Sequence, residues 1–87
     1  MNAFTKRAMK LTAHIEEELG KPASVFYAIR EVDGRLVRGY WYQLWKDGSR
    51  EEWYEFGFLH EKAFFAKRAI DRLVREKSQK TGDPSID

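Results

Sequence analysis

The sequence predicts an α+β fold in the order helix, three antiparallel strands, helix, with the strands as a meander in order 1-2-3. Three observations carry this. Apolar residues recur every three to four positions from Phe4 to Leu19 and again from Ala63 to Val74. Between those runs the period drops to two and β-formers dominate. Asp33-Gly34 and Lys46-Asp47-Gly48 punctuate the middle segment where hairpin turns belong.

In the first helix Phe4, Ala8, Leu11, Ile15 and Leu19 line one side. Gly20 can adopt the left-handed capping conformation, and Pro22 cannot continue a helix, so the run stops there. Lys6, Arg7 and Lys10 sit early and Glu16, Glu17 and Glu18 late, which opposes the helix dipole. The apolar stripe, rather than charge, therefore specifies this helix.

"SVFYAIREV" reads as the first strand, and Asp33-Gly34 as a two-residue turn of the I′ kind. "RLVRGYWYQLW" reads as the second strand, and "SREEWYEFGF" as the third after a loop of Lys46 to Gly48. These turns set a register, and opposed residues share a face. Phe26 then opposes Trp41, Tyr27 opposes Tyr40, Tyr40 opposes Tyr54, and Trp41 opposes Trp53. One face would carry Val25, Tyr27, Ile29, Leu36, Tyr40, Tyr42, Leu44, Tyr54, Phe56 and Phe58. The other would carry Phe26, Ala28, Arg30, Val37, Gly39, Trp41, Gln43, Trp45, Glu51, Trp53 and Glu55.

The last helix is expected over "HEKAFFAKRAIDRLVREK", with Ala63, Ala66, Ile70, Leu73 and Val74 on its apolar stripe. Phe64 and Phe65 fall off that stripe, among Arg68, Arg72 and Arg75. Residues 1–78 are read as one compact domain, and 79–87 as a flexible polar tail containing Gly and Pro. Both helices are expected on the first sheet face, which alone offers enough large apolar side chains to receive their stripes.

The helix–three strands–helix order resembles the double-stranded-RNA-binding-domain fold over residues 8–75. Gly20-Lys21-Pro22 leaving the first helix, Tyr27 in the first strand and an alanine-spaced second helix fit that family. The resemblance implies the fold but not the activity. That family grips phosphate with a Lys-Lys-x-Ala-Lys helix start, where this chain reads His60-Glu61-Lys62-Ala63-Phe64. Its groove-entering histidine is also replaced by Asp33-Gly34. A fainter resemblance links the sheet and the Phe58–Ala69 stretch to the DNA-binding domains of AP2 and integrase arm-binding type. Glu51 and Glu55, expected beside Arg30 and Trp41, would repel phosphate there.

At 87 residues, the chain has room for one core. It has no cysteine, which excludes disulfides and thiolate metal sites. The opening twenty residues lack the uninterrupted apolar run of a signal peptide or membrane span, so a cytoplasmic location is expected. The net charge is +2. Residues 59–80 concentrate seven basic against three acidic groups, and a solvated helix face is the plain reading of that excess.

Catalytic signatures are missing. His14 and His60 are the only histidines and have no metal-ligand spacing, the glycines form no phosphate loop, and no serine has a neighbouring base in sequence. Neither enzymatic activity, a metal nor a cofactor is expected. Residues 38–58, by contrast, hold three Trp and three Tyr. Trp, Tyr and Arg anchor interfaces because they bring large contact area at little entropic cost. The sequence therefore points to a protein-interaction module, acting as an adaptor, inhibitor or self-associating subunit. Its candidate interface is Phe26, Arg30, Trp41, Trp45 and Trp53, and its partner another protein or a second copy. The competing reading is nucleic-acid binding through Lys62, Phe64, Lys67, Arg68, Arg72 and Arg75. No membrane partner is expected.

Overall fold

The computed structural model describes residues 2–45 and 53–82, with side chains at 2–45 and 55–77. The order is α1 (Ala3–Leu19), β1 (Ala23–Val32), β2 (Arg35–Trp45), β3 (Trp53–His60) and α2 (Ala63–Gly82). The three strands form one antiparallel sheet in the order β1-β2-β3. This is the α-β-β-β-α architecture that the sequence periods imply.

Both ends of α1 are closed by local chemistry. The Asn2 side chain accepts from the Thr5 N–H at 2.8 Å, satisfying one of the helix's free donors. At the other end Gly20 is left-handed (φ 68°), and its N–H donates to Glu16 O at 2.8 Å. Helix α2 runs to Gly82, beyond Lys77 where the sequence pattern ends, so Gln79–Gly82 of the expected tail are helical. Nothing between Lys77 and Gly82 breaks a helix; loss of apolar period alone does not end one. The rest of the expected tail, 83–87, lies outside the described residues.

The first hairpin has the expected register, from Val32 opposite Arg35 to Ala23 opposite Leu44. Asp33 (φ 52°) and Gly34 (φ 78°) both take positive φ, as a type I′ turn requires.

The second hairpin corrects the sequence reading. Trp45 opposes Trp53, Trp41 opposes Phe58 and Tyr40 opposes His60, with irregularities between Tyr40 and Trp41 and between Leu44 and Trp45. Trp41 does not oppose Trp53, nor Tyr40 Tyr54. The expected loop Lys46 to Gly48 lies outside the described residues. Over Trp41–Leu44 the pairing is displaced by an odd number of residues, which exchanges the two faces of β3. Phe56 and Phe58 join Trp41 on one face, while Glu55 and Gly57 join Tyr42 and Leu44 on the other.

The core forms on that second face. Ala8, Leu11 and Ile15 of α1 and Ala66 and Ile70 of α2 pack with Val25, Tyr40, Tyr42, Leu44 and Leu59. Both helices therefore cover one side of the sheet, as expected. Leu59 takes the place that Phe56 and Phe58 would have filled. Gly57 makes this arrangement possible: a Cβ there would lie 2.6 Å from the Tyr42 ring, which lies across the strand. At the rim, Phe4 stacks on Tyr27 at 4.3 Å and Tyr27 meets Tyr40 edge-on at 5.0 Å.

Two polar clasps fix the helices. His14 Nε2 lies 2.8 Å from Asp71 Oδ1, joining α1 to α2. Tyr42 donates its hydroxyl proton to Glu55 Oε2 at 2.6 Å, and Lys77 Nζ donates to Glu55 Oε1 at 2.6 Å, joining the sheet to α2. Glu55 thus faces the helices, not the opposite face where the sequence register placed it.

Candidate functional site

The face turned away from the helices is aromatic. Trp41 lies at its centre, stacked on Phe56 at 5.4 Å with 13° between the ring planes and edge-on to Phe58 at 4.9 Å. Phe26 stacks on Phe56 at 6.0 Å. The Arg30 guanidinium lies over both rings, 4.7 Å from the Phe56 centroid and 5.7 Å from that of Phe26. Such cation–π placement holds the arginine head flat on the aromatic surface while its outer side stays free to bind an acceptor.

Alternation in β1 and β2 explains the cluster. Phe26 and Arg30 are even-numbered in β1, and Trp41 is the residue opposite Phe26, so all three point the same way. The displaced pairing of β3 then adds Phe56 and Phe58. Sequence reasoning placed both phenylalanines in the core. Their true position raises the aromatic content of this face.

Trp41 is not a projecting ring. Only 3% of it is exposed, and its indole N–H donates to Ala28 O at 3.1 Å. This corrects the expectation of a solvent-facing anchor. Phe56 and Phe58 pack against it on a face that, among the described residues, no helix covers. Trp41 is the floor of the cluster; Phe58, 40% exposed, and Arg30 form its accessible rim. A depression of about 400 Å³ beside this floor is bounded by Ala28, Arg30, Glu31, Trp41 and Phe56. Trp45 is half-buried at the far end of β2, and its buried indole nitrogen has no hydrogen-bond partner. The Trp53 backbone pairs with Trp45, but its side chain lies outside the described residues, as do Glu51 and Tyr54.

The basic helix presents a second exposed group. Phe64 is 69% exposed and meets Phe65 edge-on at 5.2 Å, with Arg68 5.9 Å from its ring centroid. Phe65 in turn lies 4.9 Å from the His60 ring. His60 Nδ1 accepts from the Lys62 N–H at 3.1 Å, so this histidine closes the start of α2. Lys67, Arg68, Arg72 and Arg75 are exposed on this helix, and Lys62 is exposed just before it.

Among the described residues, no group of three or more His, Asp or Glu gathers as metal ligands would. Among the described residues, no helix is long and apolar enough to cross a membrane. Comparison of the chain with known protein families, curated proteins and solved structures finds no match to any of them.

Proposed function

We propose that this protein is a small non-catalytic binding module that acts through protein–protein contact, with the aromatic sheet face as its binding surface. The observation that supports this most is the one-sided sheet. Both helices pack on Tyr40, Tyr42 and Leu44, while Phe26, Phe56, Phe58 and Arg30 stand on the opposite side. Contiguous aromatic surface of this kind marks interaction sites in soluble proteins. Ring-rich centres with a stacked arginine are also where binding energy concentrates, about 2 kcal/mol or more for each strong anchor.

The partner chemistry follows from the rim. Arg30 suits a carboxylate on the partner, and the depression beside Trp41 suits an apolar or aromatic side chain. Capture from native lysate with and without nuclease tests this. Wild type should retain a protein partner after nuclease, whereas a folded Arg30→Glu/Phe58→Ser variant should lose it. Partner retention by that variant would rule out this face as the binding surface.

A second reading, nucleic-acid binding, is favoured by Phe64 standing exposed beside Arg68 on the basic helix. Exposed rings flanked by cations form stacking platforms for unpaired bases. The inward turn of Glu55 also removes one of the acidic groups that the sequence register set against phosphate. This reading predicts affinity that falls steeply with salt. Replacing Arg68, Arg72 and Arg75 together should abolish it; the absence of binding to single- or double-stranded DNA and RNA at low salt would eliminate it.

A further inference from the structure

We infer that the free edge of β2 pairs with the same edge of a second copy of this chain, joining two sheets through their hairpin arms. This surface is the strand edge rather than the aromatic face, which it meets at Phe58, and the variants that test it leave Phe58 and Arg30 unchanged.

The first hairpin outreaches the third strand. Strand β3 pairs with β2 only from Tyr40 onward, which leaves Arg35–Arg38 without a paired strand on that side among the described residues. The direction of the backbone groups there follows from the turn. In a hairpin closed by Asp33-Gly34, Val32 and Arg35 bond each other, as do Arg30 and Val37. The intervening residues aim their N–H and C=O away from the partner strand. Thr12 verifies that parity on β1: its Oγ1 accepts from the Val25 N–H at 2.8 Å and lies 3.2 Å from Val25 O, so Val25 points outward. By the same alternation Leu36 and Arg38 of β2 point outward.

The two edges are treated differently. On β1, Thr12 covers Val25, and Glu16 accepts from the Ala23 N–H at 3.1 Å, so α1 blocks the first part of that edge. On β2 the exposed stretch carries Leu36 instead, 77% exposed and the most exposed large apolar side chain among the described residues. An unblocked edge with an apolar side chain is a template for strand pairing.

Only one antiparallel self-pairing uses both outward residues without displacing His60 from Tyr40. A two-fold axis at Val37 sets Leu36 against Arg38 of the second copy, and Arg38 against its Leu36. Four main-chain hydrogen bonds result, and each arginine stem covers a leucine. Val37 meets Val37 on the axis, and Arg35 comes opposite Gly39 of the second copy. No arginine faces its own counterpart, so like-charge repulsion across the pair is avoided.

Charge complementarity favours a second copy as the occupant. Beyond His60 the chain crosses directly over Gly39: a Cβ on Gly39 would lie 2.6 Å from Glu61 Cα. Arg35 of one copy therefore arrives beside Glu61 of the other, twice per dimer. A notch of about 270 Å³, bounded by Leu36, Arg38, Phe58, His60 and Glu61, lies where the tip of the second hairpin would enter.

Sedimentation velocity from about 1 μM to about 1 mM tests this. Wild type should shift from monomer to dimer, and Val37→Lys, which sets two ammonium groups on the axis, should remain monomeric with an unchanged circular dichroism spectrum. Arg35→Glu and Glu61→Arg should each weaken the dimer about tenfold or more, and the double variant should recover most of that loss. Amide exchange at Leu36 and Arg38 should slow only where the dimer forms. A wild type that stays monomeric throughout would overturn the inference. So would a dimer that survives Val37→Lys, a charge swap without recovery, or unchanged exchange at those two amides.

Discussion

Replacing Trp41 with Ala is the most informative single perturbation. The sequence register makes it a surface change costing little; the structure makes it the loss of a buried ring. Truncating a buried tryptophan costs about 3–5 kcal/mol, combining lost transfer energy with the cavity left behind. The lower end applies, because Phe56 and Phe58 flank Trp41 on a face with no helix above it and can partly collapse into the space. The lost indole bond to Ala28 O adds little, since that carbonyl also belongs to the β1–β2 ladder. About 3 kcal/mol is therefore expected. An 87-residue domain has a total stability of about 4–13 kcal/mol, so the variant should be marginal. Urea unfolding followed by far-ultraviolet circular dichroism gives the difference. A thermal scan should show the midpoint about 12–24 °C lower. Trp41→Phe, which keeps a ring, should lose less than half as much. A Trp41→Ala cost below about 1 kcal/mol would refute the buried-floor geometry and return Trp41 to the surface.

Three further substitutions probe particular contacts. Gly39→Ala should destabilise by about 2–4 kcal/mol in the same unfolding assay, because the new methyl meets the backbone of His60 and Glu61 as well as the Phe58 ring. Glu55→Gln should cost about 1 kcal/mol by weakening the links to Tyr42 and Lys77; no effect would mean that Glu55 faces solvent, as the shorter loop implies. Thr12→Ala should cost about 1–2 kcal/mol and speed amide exchange at Val25, since that N–H loses its acceptor.

The parts of the fold written in local chemistry were legible in the sequence. Asp33-Gly34 admits few geometries, so the register of β1 on β2 follows from it down to Phe26 opposite Trp41. Gly20 ended α1 where its lack of a Cβ said it would. The third strand was not legible, for a physical reason. Residues 53–59 read Trp-Tyr-Glu-Phe-Gly-Phe-Leu, with large apolar groups at both odd and even positions. Alternation therefore could not choose a face, and the decision fell to the loop. Lys46-Asp47-Gly48 offered a short turn, but the observed register sets Leu59 in the core and Gly57 under Tyr42. Side-chain fit over the whole face decided against the local turn signal. Phe26, Arg30 and Trp41 were legible as neighbours on one sheet face. Phe56 and Phe58 were missed because their placement depends on that register. The His14–Asp71 clasp was missed because it joins residues far apart in sequence.

The central claim is that one face of the sheet carries both helices and the other an aromatic cluster without such a cover. Nuclear Overhauser contacts among aromatic protons, combined with broadening by a soluble paramagnetic agent, test it most directly. Contacts are expected from the Trp41 indole to the Phe56 and Phe58 rings and from Ile15 and Ile70 to Tyr40, with strong broadening of Phe58 beside a protected Tyr40. Contacts from either helix to Phe56 or Phe58, or from Trp41 to Trp53 as directly opposed residues, would contradict it.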